Sequence, residues 1–154
     1  MANWYIGRRA VKRAAGINGT DQDAIVDRLI EAASRRIDLE TRRRFIPETA
    51  TRLYRWPNRL ASGYILWLSH DLLSLTTLQT KAQNSSPTTI AAADYFLEPQ
   101  HLGPPYNRIE IDLSSSAAFE AGDTPQRSIS VLGSWGYGNA TKAAGTVASG
   151  LASD

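Results

Sequence analysis

Cysteine is absent from this chain of 154 residues, and histidine occurs only twice. Without cysteine the protein has no disulfide bond and no thiolate ligand for a metal, a composition compatible with a reducing compartment. The two histidines, His70 and His101, lie far apart in the sequence and outside any cluster with metal-ligand spacing. A metal site would therefore need carboxylates brought to one histidine by the fold. We expect neither a metal nor any other cofactor.

Long apolar runs are also missing, since none approaches the roughly 18 residues that a membrane-spanning helix requires. The N-terminal region contains Arg8-Arg9, the pair found in twin-arginine signals. Lys12 and Arg13 interrupt the apolar segment that such a signal needs. We interpret this region as a short structural helix and expect no membrane partner.

The net charge is only +2, but the charges are unevenly distributed. Residues 1–60 contain thirteen Lys and Arg against seven Asp and Glu, whereas residues 61–154 contain four against eight. The chain is therefore basic at one end and acidic at the other. Such a chain can bind nucleic acid with its basic part, or stack the basic part of one copy on the acidic part of the next.

The longest segment with one unbroken period runs from residue 20 to residue 45. Apolar residues recur there at positions 25/26, 29/30, 33 and 37, which is the spacing of one face of an α-helix. We expect a face made of Ile25, Leu29, Ala33 and Ile37 to be buried and to hold the helical part to the sheet.

Sequence signals also mark the ends of this helix and of a shorter helix before it. Thr20 or Asp21 is placed to cap its start, and Pro47 closes it because the residue before a proline is pushed out of the helical region. Residues 8–15 form a candidate first helix that ends at Gly16. The turn signal between the two helices predicts a helical hairpin.

Beyond Pro47 the residues become β-branched and aromatic, in short alternating runs separated by turn signals. The expected strands cover residues 49–56, 64–68, 75–80, 88–90, 94–97, 109–113 and 128–135. The predicted class is α+β: an N-terminal helical hairpin with one long amphipathic helix, followed by a small antiparallel β-sheet or sandwich. We expect one domain over residues 1–138, helical over 8–46 and β-rich over 49–138.

Residues 139–154 are rich in Ala, Gly, Ser and Thr and contain few side chains to bury. This composition is typical of a flexible tail or linker. Within it, Thr146, Val147 and Leu151 are candidates for ordering against a partner. Trp4, in an otherwise uncommitted N-terminus, is a further candidate for a partner interface.

No arrangement of residues predicts catalysis. Ser69-His70-Asp71 contains the residue types of a hydrolase triad, but neighbours in sequence point in different directions and do not form a relay. Glu110 and Asp112 alternate with apolar residues, so we place them on the solvated face of a strand. Gly136-Tyr137-Gly138 lacks the third glycine and the following helix of a phosphate-binding loop. We therefore expect the protein not to be an enzyme.

Arginine is the one conspicuous functional residue type near the end of the long helix. Three interpretations remain open: a solvated face with i,i+4 ion pairs, subunit contacts, or a surface that faces phosphates. The candidate interface or DNA-channel residues are Arg35, Arg36, Arg42, Arg43 and Arg44. The expected i,i+4 pairs are Glu31–Arg35, Asp38–Arg42 and Glu40–Arg44.

The order of several short motifs resembles a known family. Asp23 to Phe45 carries Ala33-Ser34, Ile37-Asp38, Thr41 and Arg43 in register. It is followed by TRLY (51–54), DLLSLTTL (71–78), DYFLEP (94–99), GPPYNRIEID (103–112) and GSWGYG (133–138). This succession, spread over residues 8–138, resembles the head–tail connector, or head-completion adaptor, proteins of tailed bacteriophages.

The resemblance implies a structural virion protein in the neck between capsid and tail, assembled in the host cytoplasm. Members of this family form rings of about twelve subunits beneath the portal protein, extend the DNA channel and offer a platform for the next connector or the tail. A C-terminal helix follows the last motif in many of them, whereas the Ala/Gly/Ser-rich segment here predicts a poor helix. The alternative is a basic nucleic-acid-binding module that uses Arg35–Arg44.

Overall fold

The computed structural model describes residues 4–58 and 62–137. Two α-helices precede a six-stranded antiparallel open sheet, so the protein is α+β with a helical N-terminal part, as predicted. The helices are α1 (Arg8–Ala15) and α2 (Asp23–Thr41). The strands are β1 (Glu48–Tyr54), β2 (Ile65–Thr80), β3 (Thr88–Ile90), β4 (Tyr95–Glu98), β5 (Tyr106–Ile111) and β6 (Ile129–Trp135). Short 3-10 helices cover Ala92–Asp94 and Gln100–Leu102.

All six strands belong to one sheet, in which the order is β1-β6-β2-β5-β4 and β3 pairs with β2. The sandwich alternative is therefore not confirmed. β2 is a single strand of 16 residues, where the sequence pattern predicted two short strands. The polar residues Ser69–Asp71 lie between the two predicted strands. They lie instead where the pairing of β2 with β5 shifts register between Trp67 and Leu72, an irregularity that disturbs the alternation without ending the strand.

One layer of buried side chains on the sheet forms the core. β6 alternates strictly between buried and half-buried residues, and Ile109 and Ile111 of β5 are buried as the alternation predicted. Trp56 and Trp135 are both buried in this core. Buried members of this cluster include Leu66, Leu72, Leu78, Ile90, Phe119, Ile129 and Val131.

α2 is shorter at both ends than predicted. It begins at Asp23, and neither Thr20 nor Asp21 supplies a side-chain cap. It ends at Thr41, because Arg42 adopts a left-handed backbone conformation with φ 53° and turns the chain several residues before Pro47. The three arginines 42–44 therefore lie outside the helix.

This early end changes the ion pairs. Asp38–Arg42 and Glu40–Arg44 do not form among the described residues, because residues 42–44 no longer lie one turn above their acids. Inside the helix, Arg35 pairs with Asp38, where Glu31 was expected. The observed pairs are Arg35–Asp38 at 3.0 Å, Arg36–Glu40 at 2.6 Å and Arg44–Glu48 at 2.6 Å.

The buried face of α2 is not the predicted one. Val26, Ile30 and Ser34 are buried, whereas Ile25, Leu29 and Ile37 are 59%, 64% and 42% exposed. Apolar residues occur in adjacent pairs at 25/26 and 29/30, so two faces offset by about 100° fit the pattern equally well. The N-terminal segment selects one of them, because the Tyr5 backbone N–H donates to the Ser34 hydroxyl at 3.2 Å. The prediction that this helix holds to the sheet through Ile25–Ile37 is therefore wrong.

α1 and α2 are joined mainly by charges. The Arg8 guanidinium lies 2.9 Å from Asp23 and 2.7 Å from Asp27, and the Lys12 ammonium lies 2.5 Å from Asp23. Gly16 ends α1 with φ 67°, the left-handed conformation expected at a helix C-terminus. The cationic partners, with the hydrogen bond from Lys12 first, hold the pKa of Asp23 below its ordinary value.

Folding lowers the pKa of Asp23. The ion pairs of its carboxylate therefore stabilise the fold above the unfolded pKa of about 4, and this stabilisation is lost as the pH falls through the folded pKa. We expect Asp23→Asn to loosen α1 at neutral pH and to remove the additional loosening that the parent protein shows on acidification below pH ~4. Backbone NMR shifts of α1 measure both effects. Asp21→Asn is the control, since this exposed carboxylate has no ion pair within the described residues. An equal effect of both variants would contradict the assignment.

Candidate functional site

Three aromatic rings connect the helical part to the sheet. Tyr5 and Phe45 meet edge to face at 5.6 Å between centroids, and Phe45 meets Tyr137 in the same way, also at 5.6 Å. The Tyr5 hydroxyl donates to the Asp38 carboxylate and accepts from the Phe45 backbone N–H at 3.2 Å. Burial, and then the bond to Asp38, raise the pKa of Tyr5, so this phenol stays a donor at neutral pH. The junction fixes the chain that follows α2 beside β2 and β6.

A cleft lined by arginines lies at this junction. Residues 42–44 after α2, Arg52 of β1 and Ser69–Asp71 of β2 surround a cavity of about 210 Å³. We call it the arginine cleft. Its remaining lining residues are Leu68, Asn107, Trp135 and Gly136.

Two of the arginines are positioned by aromatic rings. The Arg52 guanidinium lies over the ring of buried Trp135, 4.6 Å from its centroid, and Arg43 lies over Tyr137 at 4.3 Å. Trp135 is itself fixed, because its indole N–H donates to the Ala50 carbonyl at 2.8 Å. The guanidinium planes are therefore held in place before any ligand binds.

The cleft has an excess of positive charge. Four arginines and one carboxylate, Asp71, line it, and Arg43 approaches Asp71 at 3.5 Å. Within residues 4–58 and 62–137, no carboxylate lies within ion-pair distance of Arg42 or Arg52. The pKa of His70 is lowered, first by burial and then by Arg52 and Arg44, while Asp71 opposes the shift. A histidine that resists protonation is the expected response to this local field.

The structure brings together three of the five predicted arginines: Arg42, Arg43 and Arg44 all line the cleft. Arg35 borders a wider neighbouring groove together with Asp38, and Arg36 pairs with Glu40 on the exposed side of α2. The sequence interpretation passed over Arg52 and Asn107. A signal for Arg52 was present, since it lies two residues from Ala50 and from Tyr54, on the face of β1 whose residues pack against the core.

The Ser69-His70-Asp71 triplet departs from the prediction in one detail. Ser69 Oγ lies 2.8 Å from His70 Nδ1, so these neighbours do contact each other. Asp71 is engaged by Arg43 rather than by the imidazole, and the Ser–His contact uses the nitrogen that a triad reserves for its acid. The three residues form part of the cleft wall and not a hydrolase relay.

The two acids Glu110 and Asp112 have separate hydrogen-bond partners. Glu110 accepts from Arg108 Nε at 2.6 Å. Asp112 accepts from the Ser114 backbone N–H and hydroxyl, each at 2.8 Å, and these bonds lower its pKa. They stabilise a strand and a turn, respectively. In the part of the chain that the structure describes, no group of three or more His, Asp or Glu side chains is placed to hold a metal ion.

Other predicted residues have less defined places. Trp4 is half-buried, and its indole N–H has no hydrogen-bond partner among the described residues. The Gly136 N–H donates to the Asp71 carbonyl of β2 at 2.9 Å, and the Tyr137 N–H donates to the Arg44 carbonyl in the chain after α2 at 2.5 Å. The tail 139–154, with Thr146, Val147 and Leu151, lies outside the described residues.

A second surface stands out on α2. Ile25, Leu29, Ala33 and Ile37 are all exposed, and α2 makes only sparse contact with the strands. We call these four residues the α2 apolar face. Among the described helices none is long and apolar enough to cross a membrane.

Comparison with known proteins adds no relative. No protein-family model matches the chain, and neither the curated proteins nor the solved structures contain a match. The resemblance to phage connectors rests on the ordered sequence motifs alone.

Proposed function

We propose that the protein is a structural, non-enzymatic adaptor that assembles as a ring in the neck of a tailed phage virion. In this role it docks beneath the portal protein, extends the DNA channel and offers a platform for the next connector or the tail. The observation that carries the proposal is the α2 apolar face. The ordered motifs of the connector resemblance supply the particular setting, including a ring of about twelve subunits.

The α2 apolar face has the sequence pattern of a buried surface but no partner within the described chain. Four apolar positions spaced by four residues form one stripe, and Ile25 and Leu29 are each more than half exposed. Contiguous apolar surface on a folded domain is a common mark of a protein–protein interface. A second subunit that covers this stripe would bury the residues that the sequence pattern predicts to be buried.

The charges suit the head-to-tail contacts of a ring. A closed ring needs two different patches on each subunit, so that one patch meets the other on the next copy. Most of the basic surplus lies in residues 42–60, which follow α2 and hold six Arg against one Glu, whereas most of the sheet lies in the acidic half. Opposite charges on the two patches favour this stacking over self-pairing of like patches. We assign contacts with the portal or the next connector to Trp4 and to tail residues Thr146, Val147 and Leu151.

The alternative, a general nucleic-acid-binding module using Arg35–Arg44, is less well supported. Four of its five arginines already have carboxylate partners: Asp38, Glu40, Asp71 and Glu48. Each intramolecular pair reduces the number of cations free to neutralise phosphates, and that number sets the affinity and its salt dependence. We therefore expect only weak binding to duplex DNA in bulk.

The proposal is tested with the full chain, alone and mixed with the portal protein of the same phage. Mass photometry and negative-stain imaging should give a ring, or a complex in which the ring caps the portal. A monomer that never joins the portal would refute the adaptor function. Tight duplex binding with a steep salt dependence, and no need for a portal, would favour the nucleic-acid module instead.

Charged substitutions on the α2 apolar face should abolish assembly. We expect the double variant Ile25→Lys and Leu29→Lys to remain monomeric at concentrations that assemble the parent chain, because each lysine places a charge in an apolar contact. The free energy of unfolding of the monomer should change by no more than about 0.5 kcal/mol, since both side chains are exposed.

The matched control for this variant is Glu31→Lys, which places the same side chain on the opposite, exposed face of α2. Native mass spectrometry of all three proteins reports the outcome. If the double variant assembles like the parent, or if Glu31→Lys disrupts assembly equally, the α2 apolar face is not the contact surface.

A further inference from the structure

We propose that the arginine cleft is a binding site for one phosphate-type oxyanion. Four arginines from two separate parts of the chain, the segment after α2 and strand β1, line a single cavity of about 210 Å³. One water molecule takes up ~30 Å³, so the cavity has room for a phosphate group together with bridging waters. The site goes beyond the proposed assembly function and does not depend on it.

Arg42 and Arg52 are the principal ligands in this proposal. Arg42 borders the cleft from the turn after α2 and Arg52 from β1, and neither has a carboxylate within ion-pair distance among the described residues. Guanidinium groups suit oxyanions because they present several N–H donors in one plane and stay charged at every accessible pH. Two such cations facing one small cavity repel each other until an anion binds between them.

The surrounding residues prepare the site for an anion. Trp135 holds the Arg52 guanidinium against its ring and Tyr137 holds that of Arg43, so fewer side-chain rotamers are lost on binding. Ser69 and Asn107 add neutral hydrogen-bonding groups to the wall. Side chains supply all the hydrogen-bond donors in this proposal, so the anion does not need the backbone N–H groups of a helix N-terminus.

A phosphate group fits this set better than a carboxylate does. The cleft wall already contains the carboxylate of Asp71, and Arg44 is already paired with Glu48. A phosphate brings more acceptor oxygens and more charge than a carboxylate, so it can satisfy two separate guanidinium groups at the same time. Inorganic phosphate and the phosphodiester backbone of a nucleic acid share this chemistry.

His70 provides a direct readout of the bound anion. Its imidazole lies in the cleft wall, and the charged groups facing it are Arg52, Arg44 and Asp71. An anion between the arginines adds opposing charge, so the pKa of His70 should rise when the site is filled. His101 is not among the cleft-lining residues and serves as the internal reference.

The experiment uses the full chain carrying Ile25→Lys and Leu29→Lys, the double variant expected to stay monomeric, so that a failure of assembly and a failure of anion binding are distinguishable. Inorganic phosphate is titrated at constant ionic strength against chloride while the two histidine ring resonances are followed by NMR. We expect a saturable shift of His70 alone. Sulfate, which does not titrate near neutral pH, is the probe for the rise in the His70 pKa.

Arg52→Gln and Arg42→Gln should each weaken phosphate binding by about tenfold or more, since each removes a charge-assisted hydrogen bond. Arg36→Gln is the matched control, because it removes the same charge from a residue outside the cleft. The Arg42 guanidinium stacks on no aromatic ring in the described part of the chain, so its variant stays informative if Arg52→Gln unfolds the protein.

Competition by a short DNA duplex separates the two sources of phosphate. Displacement of inorganic phosphate from His70 by the duplex assigns the site to a nucleic-acid backbone, and no displacement assigns it to free phosphate. The proposal is overturned by a shift that does not saturate, by an effect of Arg36→Gln equal to that of Arg52→Gln, or by acetate binding as tightly as phosphate.

Discussion

Replacing Trp135 by Ala is expected to lower the free energy of unfolding by about 3–5 kcal/mol, the range for large aromatic residues removed from a core. Trp135 is 1% exposed and ends β6, which pairs with both β1 and β2. The substitution leaves a cavity where two strand ladders meet, and it also removes the hydrogen bond to the Ala50 carbonyl. Among residues 4–58 and 62–137, Trp135 is the largest fully buried side chain.

Urea denaturation followed by far-UV circular dichroism measures this loss, and two variants control it. Trp135→Phe retains a ring but not the indole N–H, so its loss should be clearly smaller. Trp67→Ala truncates a tryptophan that is exposed on β2 and should cost about 1 kcal/mol or less. If Trp135→Ala cost no more than Trp67→Ala, the assignment of the core would be wrong.

Any folded fraction of the alanine variant should also bind phosphate more weakly, because Arg52 loses its support.

Adding a single methyl group at Gly133 is expected to cost about 2–3 kcal/mol. A Cβ at this position would lie 2.4 Å from the Ser74 carbonyl oxygen and 2.9 Å from Leu72 Cδ1. The backbone cannot easily move away, since Gly133 pairs with Ala50 on one side and Leu75 on the other. The close approach therefore requires glycine for space rather than for an unusual φ angle.

The control for Gly133→Ala is Gly63→Ala, where the added Cβ meets no atom within 4 Å. That change should be neutral or slightly stabilising, because alanine restricts the unfolded chain more than glycine does. Thermal unfolding of the two variants and the parent is the measurement. Equal midpoints for Gly133→Ala and the parent would show that β2 and β6 pack less closely than the structure describes.

Local signals in the sequence predicted much of the fold. The α1 helix and its end at Gly16, the alternation of β5 and the buried faces of β6 follow from residues that are close in sequence. The continuity of β2 did not, because it depends on pairing with β5 and β6 on either side of Ser69–Asp71. Where the local pattern was ambiguous, nonlocal hydrogen bonds determined whether the strand continued.

The same limit explains the errors on α2. Its apolar residues fit two faces, and the choice depends on Tyr5 and α1, which no periodicity within residues 20–45 encodes. Its end depends on Phe45, which packs between Tyr5 and Tyr137 and draws the chain toward the sheet. The face that the pattern predicted to be buried is the α2 apolar face, so the sequence signal and the exposed surface together point to a partner.

The candidate site was only partly predictable. The three consecutive arginines at 42–44 were evident in the sequence. The cleft that they line also requires the left-handed turn at Arg42 and the packing of Arg52 and His70 beside them. Residues that come together only through β1, β2 and β6 leave no spacing signature in the sequence.

Protection of position 29 on assembly is the most direct test of the central claim, which is that the α2 apolar face becomes buried between subunits. The chain has no native cysteine, so Leu29→Cys introduces a unique thiol. Its rate of reaction with a maleimide is measured in the free protein and in the protein assembled with its portal. We predict fast labelling of the free chain and at least tenfold slower labelling of the assembly. The thiol in the assembly reacts only while the interface is open, so its rate is reduced to that fraction of the free rate. Equal rates in the two states would contradict the account.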